Sequence, residues 1–229
     1  VPRLVDHGER RAELLAAAWR VVRARGVDGT TTRAIADEAG CSLSVLAHFL
    51  GGKDDILVAA QAAMYERIVA RAFRLGGDLA GLAALRAALG AALPFDDERA
   101  ADAHVNVAFA GAALSHPRLA ASRRESHLGI RELLRVCMRE ARERGELRAG
   151  VADDAVIDDF IILVEGSALL SLVDGWAEEG RSERLTRIAA TFVDRLRAAP
   201  RQPANRAGPG DEPHRTAPRG PANRAGQSN

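Results

Sequence analysis

Apolar residues recur along most of this chain at steps of three and four, the spacing that lines one side of an α-helix. In "ERRAELLAAAWRVVRARG" the stripe is Leu14, Leu15, Ala18, Trp19 and Val22, with Val27 following, and Gly26 is a fitting C-terminal stop. Thr31 suits the N-cap of a short helix on which Ile35, Ala36 and Ala39 share a face, and Gly40 ends it. Ser42 then caps "LSVLAHF", the glycine pair at 51–52 breaks the chain again, and Lys53 opens a long amphipathic helix running to about Leu75.

The same periodicity predicts helices near 79–93, 98–115, 117–144, 153–175 and 181–198. Between them lie Pro94, "HP" at 116–117, "RAG" at 148–150 and "DGWAEEGRS" at 174–182. No stretch sustains the two-residue alternation of a strand, so the chain reads as all-α. Residues 200–229 differ: Pro, Gly, Asn, Arg and Ala dominate, and "PANRAG" occurs at 203–208 and again at 221–226. Without large apolar side chains such a segment cannot offset its ordering entropy, which predicts a disordered tail. The pattern thus divides the chain into 1–52, 53–199 and 200–229.

Composition narrows the function classes. A formal net charge of +1 favours neither a nucleic-acid binder nor its opposite, and residues 1–60 hold eight basic and eight acidic side chains. Any DNA contact must therefore rest on local placement. Lys53 is the chain's one lysine. Cys41 and Cys137 stand far apart without metal-ligand spacing, which argues against a disulfide framework or a zinc site. No apolar run approaches the ~20 residues of a membrane span, and "VPRLVDHGERR" lacks the apolar core of a signal peptide. A cytoplasmic protein with reduced thiols is the expectation.

Two helices of about eight residues separated by "AGCS" meet the requirements of a helix-turn-helix, and the first helix can pack across both through Trp19, Ile35 and Leu46. "GVDGTTTRAIADEAGCSLSVLAHFLGGKDDIL" resembles the DNA-binding segment of the TetR family of bacterial transcriptional repressors. The matching features are the Gly26 break, Thr31, Ile35–Ala36, Ala39–Gly40, Ser42, Leu46, an aromatic at 49, and Lys53 followed by an acid and "IL". The resemblance implies a dimeric, all-α regulator: an N-terminal three-helix DNA-binding domain and a C-terminal helical domain for ligand binding and dimerisation. It also implies DNA contacts. Arg33 would reach a base or phosphate at the groove edge, and Thr31 and Thr32 would offer hydroxyls to phosphate. Ser42, Leu43, Ser44 and Val45 would lead the groove-reading helix, with His48 one turn on, and Lys53 would grip a phosphate. Leu46 and Phe49 belong to the core, Cys41 to a buried turn, while Leu43 and Val45 suit either core or groove. If they read the groove, recognition leans on thymine methyls and groove shape.

Ala47 departs from the commonest family pattern, which has a phosphate-contacting tyrosine there. The wording "AHFLGGKDDIL" is instead similar to the BetI-like subgroup, named for a choline-responsive repressor, and "AFAGAALSHPRLA" and "VEGSALLSLVDG" fit that subgroup loosely.

In "AVIDDFIILVEGSALLSLVDG" the helix is apolar nearly all round, as expected of one buried against its own domain and a partner. Gly166, Ser167 and Ala168 permit close approach there. The helices near 153–175 and 181–198 are the expected dimer faces. Those at 98–115 and 117–144 would then surround a ligand cavity with His104, Asn106 and Glu165 as polar lining and Phe109, Met138 and Trp176 as walls. Glu165 interrupts an apolar run, and a buried carboxylate needs a partner: a cationic ligand or an arginine of the same domain. No cofactor is expected. An enzyme is a weaker alternative, since the chain lacks a phosphate-binding Gly-rich loop, a metal-ligand cluster and a nucleophile elbow, and His104, Cys137 and Glu165 fall on separate helices. A ligand-binding module of this fold without an operator is the other alternative.

Overall fold

The computed structural model describes residues 7–174, 176 and 180–199; the expected tail lies outside them. Among the described residues the chain is all-α: α1 His7–Arg25, α2 Thr32–Glu38, α3 Leu43–Leu50, α4 Lys53–Gly76, α5 Gly81–Ala92, α6 Asp97–Ala113, α7 Pro117–Glu143, α8 Asp153–Val173 and α9 Arg181–Asp194.

The short helices begin where the caps predict. Thr31 Oγ1 accepts from the Ala34 N–H at 3.1 Å, and Ser42 Oγ accepts from the Val45 N–H at 3.3 Å. Each satisfies one of the N–H groups that a helix start leaves unpaired, worth about 1 kcal/mol. Gly40 turns the chain between α2 and α3 with φ +61, a conformation that side chains with a Cβ rarely adopt. Thr30, fully buried, ties the preceding loop by donating to the Gly26 carbonyl at 2.6 Å.

Two cores hold the helices. The first gathers Leu14, Ile35, Leu46, Ile56, Leu57 and Met64 from α1–α4, and Val105 and Phe109 of α6 enter it. The second gathers Leu85 and Leu89 of α5, Met138 of α7, Ile157 and Phe160 of α8, and Leu185 of α9. Ile130 of α7 packs against both, and α4 runs from the first core along α5 and α7. The N-terminal half of α4 is buried under the short helices, and Trp19 of α1 donates from its indole N–H to the Ala60 carbonyl at 2.8 Å.

Helix α9 ends at Asp194, four residues before the predicted 198. Leu196 continues the apolar stripe of Leu185, Ala189 and Val193 and is buried like them, which imitates a longer helix. Its backbone instead joins the α7–α8 connection: Arg148 N–H donates to Leu196 O at 2.9 Å, and Ala198 N–H donates to Glu146 O at 2.7 Å.

Candidate nucleic-acid interface and ligand cavity

On α3, Leu46 and Leu50 point into the first core, while Leu43, Ser44, Ala47 and His48 are exposed. Residues 43 and 47, and 44 and 48, each lie one turn apart, so the four form a single outward face. Leu43 is 46% exposed, a large apolar side chain that the protomer leaves uncovered, whereas Val45 is only half-exposed at the edge of the face. The Ser42 and Ser44 hydroxyls bond each other at 2.9 Å at the start of the helix. Phe49 is half-buried against the first core, its ring 4.5 Å from that of His7 and 5.2 Å from that of His48. Cys41 is half-buried in the turn rather than fully buried, since only one side of the turn meets the core. Arg11 of α1 donates to the Phe49 carbonyl at 2.9 Å, which fixes the C-terminal end of α3 on α1.

Around this face, Thr31 and Arg33 are exposed and Thr32 is half-exposed. The Thr31 oxygen is occupied as a cap, which leaves its O–H free to donate. Arg33 has no ion-pair partner among the described residues. Lys53 Nζ rests against the Asp28 carbonyl at 3.5 Å, long enough to be exchanged cheaply. Gly51 sits at φ +82, where a Cβ would lie 2.7 Å from the Asp55 carboxylate, so this turn requires glycine.

Asp55 accepts from the Gly52 N–H at 3.0 Å and from Arg118 at 2.6 Å. The Arg118 bond first, and the Gly52 N–H after it, hold the Asp55 carboxyl below its ordinary value. The acidic start of α4 is thereby partly neutralised beside Lys53.

Below the first core lies a cavity of about 410 Å³, lined by α4, α5, α6, α7 and α8. Its walls are mostly Ala, Ile, Val, Leu and Phe, and its rim carries the exposed apolar side chains Phe73, Leu79, Leu133 and Val136. The polar residues cluster. Asn106 Nδ2 donates to Glu165 at 2.9 Å, Arg123 pairs with Glu165 at 2.7 Å and donates to Asn106 Oδ1 at 2.9 Å, and His127 Nε2 lies 3.5 Å from Glu165. Tyr65 O–H donates to Asn106 Oδ1 at 3.3 Å and lies 3.2 Å from His127 Nε2. Burial alone would raise the Glu165 carboxyl, but the His127 hydrogen bond, the Arg123 charge and the Asn106 amide together hold it below its ordinary value. Burial pushes the Tyr65 phenol up, so it stays a protonated donor. The buried carboxylate Asp102 is paired with both Arg67 and Arg71, the latter at 2.8 Å, and Arg71 also holds Glu98 at 2.7 Å.

Of the residues expected to line a cavity, Asn106 and Glu165 do, and the arginine alternative for Glu165 is the one found, as Arg123. The other four lie elsewhere. His104 is exposed because two residues of helix turn it about 200° from Asp102 and about 160° from Asn106. Phe109 belongs to the first core and Met138 to the second, both fully buried. Trp176, in the α8–α9 connection, packs on the second core under the Arg184 guanidinium, 4.8 Å from its ring centroid. Tyr65, Arg123 and His127 were not singled out by the sequence, although Tyr65 is the chain's one tyrosine and Arg123 and His127 have the four-residue spacing of one helix face. Cys137 lines the cavity; burial, and then Glu140, push its thiol up, away from the reactive thiolate. No group of metal-ligating side chains occurs among the described residues, and no helix among them is long and apolar enough to cross a membrane.

Comparison with known proteins agrees with this geometry. The family model for bacterial regulatory proteins of the tetR family matches residues 14–60, and that for the C-terminal domain of BetI-type transcriptional repressors matches residues 81–198. The chain is 29% identical to the HTH-type transcriptional regulator PksA of Bacillus subtilis (strain 168) over 197 residues, 86% of this chain and 94% of that one. A transcriptional regulator from Rhodococcus sp. Rha1 superposes with a TM-score of 0.68 at 27% identity, covering 81% of this chain and 95% of its own. A regulator from Saccharomonospora viridis, solved in complex with choline, shares the fold with a TM-score of 0.70 at 18% identity, covering 82% and 96%. These relatives are regulators and not enzymes. The chain therefore belongs to the TetR family of bacterial transcriptional regulators, in its BetI-type branch.

Proposed function

We propose that this regulator is a ligand-responsive repressor that binds a palindromic operator as a homodimer and is released by a small molecule held in the cavity. The observation that carries the reading is the outward face of α3: Leu43, Ser44, Ala47 and His48 stand clear of the core, with Thr31, Arg33 and Lys53 on the flanking elements. A single such helix covers too few base pairs for useful specificity, so two heads are needed about one helical turn apart.

Helix α8 supports the pairing. Ile162, Gly166, Leu169 and Val173 follow at steps of four, three and four along one stripe, with Ile162 68% and Val173 65% exposed in the protomer. A Cβ on Gly166 would meet nothing within 4 Å, so the protomer's own packing gives no reason for glycine there. Close approach of a second α8 does. The cavity, with its apolar walls and cluster of polar groups, suits an effector. Its ligand would lower operator affinity only by binding the DNA-competent and released conformations unequally. Choline, bound by the Saccharomonospora viridis regulator, is one effector class to set against others.

Ala47 and the apolar reading face favour a second reading, a ligand-binding module that has no operator. Selection of bound duplexes from a random pool separates the two. The repressor reading predicts an enriched inverted repeat with half-sites about one turn apart and two protomers per site by light scattering. Absence of any enriched sequence sinks it.

A further inference from the structure

We infer that the cavity takes a neutral, mainly hydrocarbon molecule carrying one hydroxyl or carbonyl group, with that group at the Tyr65–Asn106–His127 cluster and the hydrocarbon directed toward the apolar rim. The inference rests on the cavity being the effector site and names the class of effector.

Charge disfavours an ionic ligand at the cluster. Three carboxylates border the space: buried Asp102 is matched by Arg67 and Arg71, half-buried Glu165 by Arg123, Asn106 and His127, and Glu140, thirteen residues along α7 from His127, accepts from the Gly81 N–H at 3.1 Å. At the polar cluster a quaternary ammonium would therefore face carboxylates held by fixed guanidinium groups, and there it would lose hydration without gaining an unpaired negative partner. A carboxylate ligand meets the converse obstacle, because it would have to displace Glu165 from Arg123 and leave that anion stranded.

Hydrogen bonding favours a hydroxyl or carbonyl group. Tyr65 makes long bonds, 3.3 Å to Asn106 and 3.2 Å to His127, whereas the bonds that Asn106 and Arg123 make to Glu165 are 2.9 and 2.7 Å; only the His127–Glu165 contact, at 3.5 Å, is longer. The phenol is the cheapest group to redirect. A ligand carbonyl can accept from it, and a ligand hydroxyl can accept from it while donating to Asn106 Oδ1. Neither exchange disturbs the Arg123–Glu165 pair.

Size and lining suit a hydrocarbon. About 410 Å³ is ample for a ten-carbon chain, and pockets of roughly 300–1,000 Å³ are typical for small organic ligands. Phe73, Leu79, Leu133 and Val136 at the rim are exposed apolar side chains that a hydrocarbon entering or filling the space would cover.

The test is calorimetric titration of the full chain, without DNA, with 1-decanol, decanoate, decyltrimethylammonium and choline. We expect 1-decanol to bind at least tenfold more tightly than the other three. Its affinity should rise roughly fourfold for each methylene added from octanol to decanol. Tyr65→Phe should weaken decanol binding at least fivefold, with an unchanged melting temperature showing that the cavity is intact; Leu133→Gln, at the rim, should flatten the chain-length dependence without touching the cluster. Equal or tighter binding of decanoate or of either ammonium compound overturns the inference. So does decanol binding that ignores both chain length and Tyr65→Phe, or no binding of any probe. Operator affinity, measured separately, tests the underlying reading. A bound probe that leaves the operator in place contradicts the effector role but not the ligand class. An ammonium compound that both binds and releases DNA contradicts the class but not the role.

Discussion

Arg118, in the first turn of α7, donates to the Asp55 carboxylate in the first turn of α4 at 2.6 Å. The bond fastens the helix that carries the cavity's Arg123 and His127 to the helix that leaves the reading head. Those two residues lie roughly 7.5 and 13.5 Å further along α7, at 1.5 Å per residue. On the proposed ligand response, this bond is the route by which a shift of α7 at the cavity would reach the turn that holds Lys53. Arg118→Ala should leave ligand-free operator affinity within a few-fold of wild type while moving the ratio of operator affinities, without and with a releasing ligand, toward one. Fluorescence anisotropy on both states checks this; an unchanged ratio removes the bond from the coupling.

We expect the flanking cations to divide their work: Arg33, exposed and without an ion-pair partner among the described residues, to read a base edge, and Lys53, resting on the Asp28 carbonyl, to hold phosphate. Arg33→Ala should relax preference at one operator position at a cost of about 1–3 kcal/mol for the cognate base. Lys53→Ala should weaken all duplexes alike and flatten the slope of log K against log salt by about 0.9 for each phosphate it no longer neutralises. Salt titrations with cognate and scrambled duplexes tell the two effects apart, and a sequence-independent loss of affinity in both variants would deny Arg33 a reading role.

Gln61 of α4 is fully buried, and neither end of its amide has a hydrogen-bond partner among the described residues. Such a group costs about 1–3 kcal/mol of desolvation that an apolar side chain of similar size avoids. Gln61→Leu should therefore raise stability by about 1–3 kcal/mol in urea denaturation. A destabilised variant would mean that the amide is satisfied in solution.

The Glu165 carboxyl has a folded value below its unfolded one, so the native state prefers it ionised. Its contribution is fully present at neutral pH, begins to fade as pH falls below the ordinary value of 4.5, and is lost through the lower folded value. Glu165→Gln removes this pH dependence and leaves Arg123, only 14% exposed, without its counter-charge, at a cost of roughly 1–3 kcal/mol at pH 7. Stabilities of the two proteins, measured from pH 7 down to about 2, should stay apart to about pH 4.5 and converge only below it; a constant gap would place the carboxylate outside the acid transition.

What was legible in the sequence was local. Thr31 and Ser42 announce helix starts, Gly40 the turn, and the Leu46–Leu50 spacing the buried side of α3, because each acts on residues within a turn or two of itself. Glu165 stood out for a similar reason, a charge set inside an apolar run. Its partners did not, since the cluster joins Tyr65 of α4, Asn106 of α6, and Arg123 and His127 of α7, and no periodicity records which helices meet. His104 shows the limit in the other direction: the right helix and the right chemistry, but the wrong side of a 3.6-residue turn.

If α3 reads DNA with the face formed by Leu43, Ser44, Ala47 and His48, duplex selection repeated with Leu43→Ala beside the wild type should enrich an inverted repeat of the same half-site spacing in both. The variant should lose preference at a thymine position which the wild type specifies. An identical consensus from the two proteins would contradict this role for the face.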